Sequence, residues 1–129
     1  MPMIENWKLV VLERYAKFDG RAGRAEFWWY VLANIVLYIA GGILWTIGFA
    51  IATGLGVVVA LLTAAVYLAL IVPSIAVAIR RLHDTDKSGW LLLLGLIPFV
   101  GPIILLVFYI QEGTAGPNQY GAGPEPAAG

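Results

Sequence analysis

The sequence predicts an all-α, polytopic membrane protein with three transmembrane helices and an N-terminal amphipathic helix at the membrane interface. Two charge-free runs and the composition behind them carry that prediction. Phe27 to Ile79 passes 53 residues without Asp, Glu, Lys or Arg, and Trp90 to Gln111 passes 22 more, against about 20 apolar residues needed to cross the hydrocarbon core as a helix. The first run is long enough for two crossings and the second for one. Hydrophobic residues make up 60% of the 129 and charged residues 12%, far from the roughly 45–50% and 25% of soluble domains.

The first element is the N-terminal helix. Ile4, Trp7, Val11, Tyr15 and Phe18 recur at spacings of three and four, while Glu5, Lys8, Glu13 and Lys17 fall away from that stripe, the pattern of an amphipathic helix. Such a helix either lies in the interface plane or packs on the end of the bundle. Gly20 and Gly23 then interrupt helix, and the aromatics Phe27, Trp28, Trp29 and Tyr30 mark the headgroup level where a span begins. Span 1 is expected over about 27–52. The A-x-A pattern at Ala50 follows an apolar stretch of 23 residues, longer than the about 7–15 of a cleaved signal, so the span is expected to stay in the chain.

Gly54 and Gly56 make a tight, barely polar turn, and span 2 is expected over about 57–79. Pro73 should kink it, with Ser74 capping the freed carbonyls. Span 3, about 90–111, contains Pro98 and Pro102. It is expected as one kinked crossing, with a re-entrant hairpin turning at P-F-V-G-P as the alternative. Residues 1–121 then form a single membrane domain. The Gly, Pro and Ala tail 122–129 has little to bury and is expected to be disordered. Small residues recur every four positions at Gly48, Ala52 and Gly56 and at Ala60 with Ala64, faces that let helices approach closely or let two copies associate.

RRLHDTDKSGW, residues 80 to 90, holds five of the sixteen charged residues and the single histidine. The Lys and Arg tally is one-sided. Lys8, Arg14, Lys17, Arg21 and Arg24 precede span 1, Arg80, Arg81 and Lys87 lie between spans 2 and 3, and neither the 53–56 turn nor the tail after Gln111 has any. Because short basic loops are retained in the cytoplasm, the N-terminus and the 80–89 loop are expected there. Three crossings put the tail outside, whereas a hairpin returns it to the cytoplasm.

An antiparallel helix pair brings the 21–26 and 80–88 segments to one face, which makes Arg21, Arg24, Glu26, Arg80, Arg81, His83, Asp84 and Ser88 the candidate binding site. Interfacial ion pairs at a helix end account for these residues without a ligand. Guanidinium groups are also natural bidentate partners of phosphate, so the same cluster suits an anionic phospholipid headgroup. His83, Asp84 and Ser88 contain the atom types of a hydrolytic triad, but helical neighbours diverge and no G-x-S-x-G elbow is present. A cation site at His83, Asp84 and Asp86 rests on a lone D-x-D, and Asp86 serves as readily to cap span 3. No catalytic residue, metal or cofactor is expected. Zero cysteines exclude thiol chemistry, and a net charge of zero leaves no nucleic-acid footprint. The expected partners are the lipid bilayer, an anionic phospholipid and a second copy.

FDGRAGRAEFWWY, VPSIAVAIRRLHDTDKSGW, LIPFVGPIILL and the tail GTAGPNQYG together resemble the bacterial inner-membrane family known as domain of unknown function 805, the YhaH-type proteins. The resemblance covers about residues 10 to 124. It rests on Phe18, Gly20, Arg21, Arg24, Glu26, Phe27 and Trp28, on Pro73, Arg80 to Asp84 and Ser88 to Trp90, and on Gly113, Thr114, Gly116, Asn118, Tyr120 and Gly121. Asp86, Lys87 and Leu91 depart from the family pattern. The resemblance implies the bacterial inner membrane as location, supplies no activity, and adds weight to the Arg, Glu, His, Asp cluster as a unit. A motif-bearing tail also favours the hairpin, which lets tail and loop meet. The resulting expectation is a non-catalytic scaffold or regulator. The alternatives are an oligomeric channel or transporter component using Asn34, Glu26 or His83, and a lipid-headgroup enzyme using Asp84 and Asp86.

Overall fold

The computed structural model describes residues 1–127, and these are helical with no β-strand, only isolated bridges between Ala22 and Glu125 and between Asn118 and Gly121. Helix α1, Pro2–Lys8, continues as a π-helical turn over Leu9–Glu13. Helix α2 is Arg24–Ile51, α3 is Thr53–Ala69 and α4 is Ile71–Asp84. A 3₁₀ helix, Gly89–Leu96, and α5, Val100–Ile110, complete the order. α2 and the α3–α4 rod, Thr53–Asp84, are both long and apolar enough to cross a membrane.

Burial runs opposite to that of a water-soluble protein. Arg21, Arg80, Arg81, Glu26 and Asp84 are buried, while Ile39, Ile43, Leu44, Leu61, Leu62 and Leu68 on the long helices are exposed. Leucine faces of that size are stable only in lipid. The molecule is an all-α membrane protein.

The turn between α2 and α3 is a single residue. Ala52 alone takes an extended conformation, φ −161° and ψ 141°, so the expected 53–56 turn is already the first turn of α3. Gly48 and Gly56 permit it, because a Cβ on Gly48 would sit 3.2 Å from the Gly56 Cα. From there an antiparallel register holds down the pair: Tyr38 stacks edge-on against Tyr67, the Tyr30 hydroxyl meets the Ser74 hydroxyl at 2.7 Å, and Arg80 reaches Glu26.

The rod breaks at Leu70 rather than below Pro73. Pro73 has no N–H to give to the carbonyl of residue 69, and the Tyr15 hydroxyl donates to that Ala69 carbonyl instead, at 2.6 Å. Ser74, expected to cap there, pairs with Tyr30. A tyrosine from the N-terminal segment therefore fills the gap that proline opens.

α1 packs on the bundle, antiparallel to the first half of α2. Arg14 pairs with Glu26, the Trp7 indole N–H donates to Asn34 Oδ1 at 3.0 Å, and Met3 and Ile4 line a groove with Val36, Leu37 and Ala40. Asn6 and Val10 are the residues of this segment that become fully buried, so the buried face is rotated from the expected stripe, leaving Ile4, Tyr15 and Phe18 exposed.

The helix expected over 90–111 is two pieces. The 3₁₀ helix leaves Gly89, which lies against Ile79, and Leu92 packs on the cluster of Phe27, Tyr30, Val77 and Ala78. The chain reverses at Pro98 and Phe99, with Phe99 at φ +64°. α5 then returns, so that Tyr109 packs on Phe27 and the Tyr109 carbonyl accepts from Arg81 Nε. Both ends of the segment meet the same end of α4. In one straight helix Pro98 and Pro102 would leave the carbonyls of residues 94 and 98 without donors, which is the physical reason that it does not form.

The tail is docked as well. Residues 122–127 were expected to be disordered with the rest of 122–129, yet Glu125 N–H donates to the Arg21 carbonyl at 3.0 Å and its carboxylate pairs with Lys17 at 2.8 Å. Ala128 and Gly129 lie outside the described residues.

Candidate functional site

The last two turns of α4, the 20–26 segment and the tail converge at the charged end of the bundle. α4 supplies Arg80, Arg81, His83 and Asp84 within five positions, so Arg81 and Asp84, three apart, meet on one face while Arg80 and His83 point to other neighbours. Gly20, at φ +88°, turns the 14–23 segment back toward α4, where Ala22 N–H donates to the Arg80 carbonyl at 2.9 Å.

Two carboxylates organise the arginines. Glu26 accepts from Arg80 Nη1 at 2.7 Å and from Arg14 Nη1 at 2.6 Å. Asp84 accepts from Arg21 Nε at 2.9 Å on one oxygen and from Arg81 Nη1 at 2.6 Å on the other. The remaining guanidinium hydrogens go largely to backbone carbonyls. Arg21 donates to Thr114 and Gly116, both at 2.7 Å, and to Gly121 at 3.3 Å, while Arg81 donates to Ala22, Tyr109 and Gln111. Arg80 Nε donates to the Lys17 carbonyl at 3.0 Å, and its Nη2 is buried without a hydrogen-bond partner. Buried charge is stable only when so compensated.

His83 stands at the edge of this network. Its Nδ1 lies 3.0 Å from the Gly20 carbonyl; a carbonyl only accepts, so Nδ1 carries a proton. The ring stacks on Tyr120 at 3.9 Å with an interplanar angle of 3°. Asn118 donates to the His83 carbonyl at 3.0 Å. On its open side His83 lines two adjoining clefts, one with Phe18, Asp19, Gly20 and Tyr120, the other with Phe18, Ile79, Ser88 and Trp90.

Of the eight residues expected to form the site, five, Arg21, Glu26, Arg80, Arg81 and Asp84, form the buried network, and His83 flanks it. Arg24 and Ser88 do not join. Arg24 is exposed and 3.6 Å from Glu112. Ser88 is the N-cap of the 3₁₀ helix, its Oγ accepting from Trp90 N–H at 3.2 Å, so the capping role expected of Asp86 falls two residues later; Asp86 instead takes φ +60°. Lys87 lies beside the end of α5 and donates to the Gln111 side chain at 2.8 Å. Burial, followed by the charge of Arg81, pushes its ammonium below the usual lysine range, with Asp86 opposing.

The chemistry open to this arrangement is narrow. His83 directs Nδ1 at Gly20 rather than at Asp84, both Asp84 oxygens are engaged by guanidinium, and Ser88 is committed to a backbone N–H. No hydrolytic triad is assembled. Arg14, Thr114, Asn118 and Glu125 were not among the expected site residues. Thr114 and Asn118 belong to the tail motif, which was the one signal available for them, whereas Arg14 sits among ordinary helix-surface charges.

The chain matches the family described as Protein of unknown function (DUF805) over residues 15–122. It is 43% identical to Inner membrane protein YhaH of Escherichia coli (strain K12), covering 93% of this chain and 97% of that one. Inner membrane protein YhaI of the same strain is 44% identical, covering 92% and 95%. The Uncharacterized protein YiiR is 32% identical, covering 81% and 83%. No solved structure matches.

Proposed function

The chain belongs to the DUF805 family, whose members YhaH and YhaI are inner membrane proteins, and on that premise we propose a non-catalytic inner-membrane scaffold whose charged end is a fixed cytoplasmic surface. One observation carries the reading: the carboxylates of Glu26 and Asp84 and most guanidinium hydrogens of Arg21, Arg80 and Arg81 are spent on one another and on backbone carbonyls. Such a network fixes the 14–24 segment, α4 and the tail as one body and leaves no free acid, base or nucleophile at its centre. The one-sided Lys and Arg distribution supports a cytoplasmic placement of this end. The common end of the 89–111 segment supports a re-entrant hairpin, with two crossings by α2 and the α3–α4 rod.

The surface so held offers Arg24 and Lys87 on either side of Gln111 and Glu112, where α5 leaves the membrane. These, rather than the enclosed arginines, meet anionic phospholipid headgroups. Asn34 bonds to Trp7, Glu26 is sealed between two arginines, and neither is free to line an ion path, which favours the scaffold over a channel. Thermal unfolding in nanodiscs of phosphatidylcholine with and without phosphatidylglycerol tests the lipid contact. Stabilisation by phosphatidylglycerol should fall when Arg24 and Lys87 are both changed to Gln. An unchanged lipid response in that variant would sink the headgroup contact.

A further inference from the structure

The two ends of the bundle differ in thickness. At the charged end five rods stand side by side: α1, α2, α4, the 3₁₀ helix and α5. At the other end only α2 and α3 remain. α1 runs from Arg14 at Glu26 to Met3 and Ile4 at Val36, Leu37 and Ala40, which is the midpoint of Arg24–Ile51. The 3₁₀ helix has eight residues and α5 eleven, so each hairpin arm is about 16 Å long at 2.0 and 1.5 Å per residue. That is half of a hydrocarbon core about 30 Å thick. Both additions therefore stop near the middle.

The extra mass belongs in acyl chains rather than in water. Leu93, Leu96, Phe99, Ile103, Leu106 and Ile110 are exposed along the hairpin, and water would be excluded from so large an apolar face. α1 and the π-helical turn after it contribute exposed Ile4 and Leu12, while the Met1 amine pairs with Glu5 at 3.3 Å. A helix about 10–12 Å across occupies roughly 80–110 Å² of a leaflet, so three additional rods displace about 240–330 Å² in one leaflet only.

We propose that this protein is a membrane wedge, and that it concentrates where the leaflet holding α1 and the hairpin is convex. The wedge rests on the two-crossing topology proposed above. Its partner is a curved lipid surface, selected because an area excess confined to one leaflet is relieved when that leaflet is stretched around a bend. The hairpin is braced for this role: Arg81 holds the carbonyls of Tyr109 and Gln111, so its base is tied to α4 and does not splay.

The test uses the full chain, which has no native cysteine, with a single fluorophore on Ala115→Cys, in phosphatidylcholine–phosphatidylglycerol vesicles of graded diameter. A membrane-impermeant quencher sorts molecules with the charged face outward from those facing inward. Protein density per unit membrane area should rise several-fold toward small vesicles for the outward population and fall for the inward one. Equal size dependence in both populations, flat or rising, overturns the wedge. Gly54→Cys checks the topology independently. Labelling of positions 54 and 115 from the same side overturns both proposals, whereas opposite sides with equal size dependence overturns the wedge alone.

Discussion

Arg21 and Asp84, 63 positions apart, meet at 2.9 Å with both side chains buried, and Arg81 closes on the other Asp84 oxygen. Removing one member of a buried ion pair is worse than removing the pair, because the remaining charge loses its compensation without regaining water. Asp84→Ala should therefore destabilise the protein by roughly 3–5 kcal/mol, with Asp84→Asn milder because its carbonyl still accepts one bond. Thermal unfolding in detergent measures both. A loss below about 1 kcal/mol for the alanine variant, the level of a surface pair, would show that this aspartate does not carry the network.

Gly113 lies against the Asp84 carboxylate, and a Cβ there would overlap Oδ2. Gly113→Ala must push either the tail or the carboxylate away, at a cost of about 1–3 kcal/mol for an overpacked site. Protease cleavage between residues 113 and 121 should accelerate, while Ala115→Gly, at an exposed tail position, should leave it unchanged.

The Tyr15 hydroxyl stands in for the proline-deleted donor at Ala69. Tyr15→Phe keeps the ring and removes only the hydrogen bond, so a loss of about 0.6–1.5 kcal/mol is expected. Converting Pro73 to Ala in the same chain restores a helical donor to that carbonyl. The effect of Tyr15→Phe should then shrink toward zero, which a double-mutant cycle in thermal unfolding reads directly.

Single cysteines at Asp86, Ala115 and Gly54 locate the two ends of the bundle relative to the bilayer. In sealed inside-out membrane vesicles an impermeant maleimide should label positions 86 and 115 and leave 54 protected. Protection of 115 together with 54, with 86 still labelled, would place the 89–111 segment across the membrane and remove the hairpin.

Most of the fold was legible because it is written in length and charge. Fifty-three uncharged residues can hardly avoid lipid, and glycines at 54 and 56 placed the α2–α3 turn to within a few residues. The rotation of α1 was not legible, since its buried face is decided by the Trp7–Asn34 bond, a partner 27 positions away. Nor was the division of labour among the arginines. Sequence placed Arg21, Arg80 and Arg81 together, as interfacial ion pairs or as phosphate ligands, but whether a guanidinium meets solvent depends on which backbone carbonyls fold over it, and carbonyls are identical in every residue. The docked tail was missed from Ala122 onward for a related reason: its hold is two backbone contacts and one carboxylate, which leave no hydrophobic pattern to read.

The distance along the chain between Arg21 and its carbonyl partners at Thr114, Gly116 and Gly121 sets an order of events during synthesis. Both long helices can enter the bilayer, and Arg21 and Arg81 can reach Asp84, before residues 109–121 emerge from the ribosome, yet the carbonyls of Tyr109, Thr114 and Gly116 that close over these two guanidinium groups belong to that later segment. Closure of the charged end thus waits for residues 109–121 to leave the ribosome. A product that stops before residue 109 keeps the carboxylate pairs of Glu26 and Asp84 but leaves guanidinium hydrogens of Arg21 and Arg81 without the acceptors that cover them.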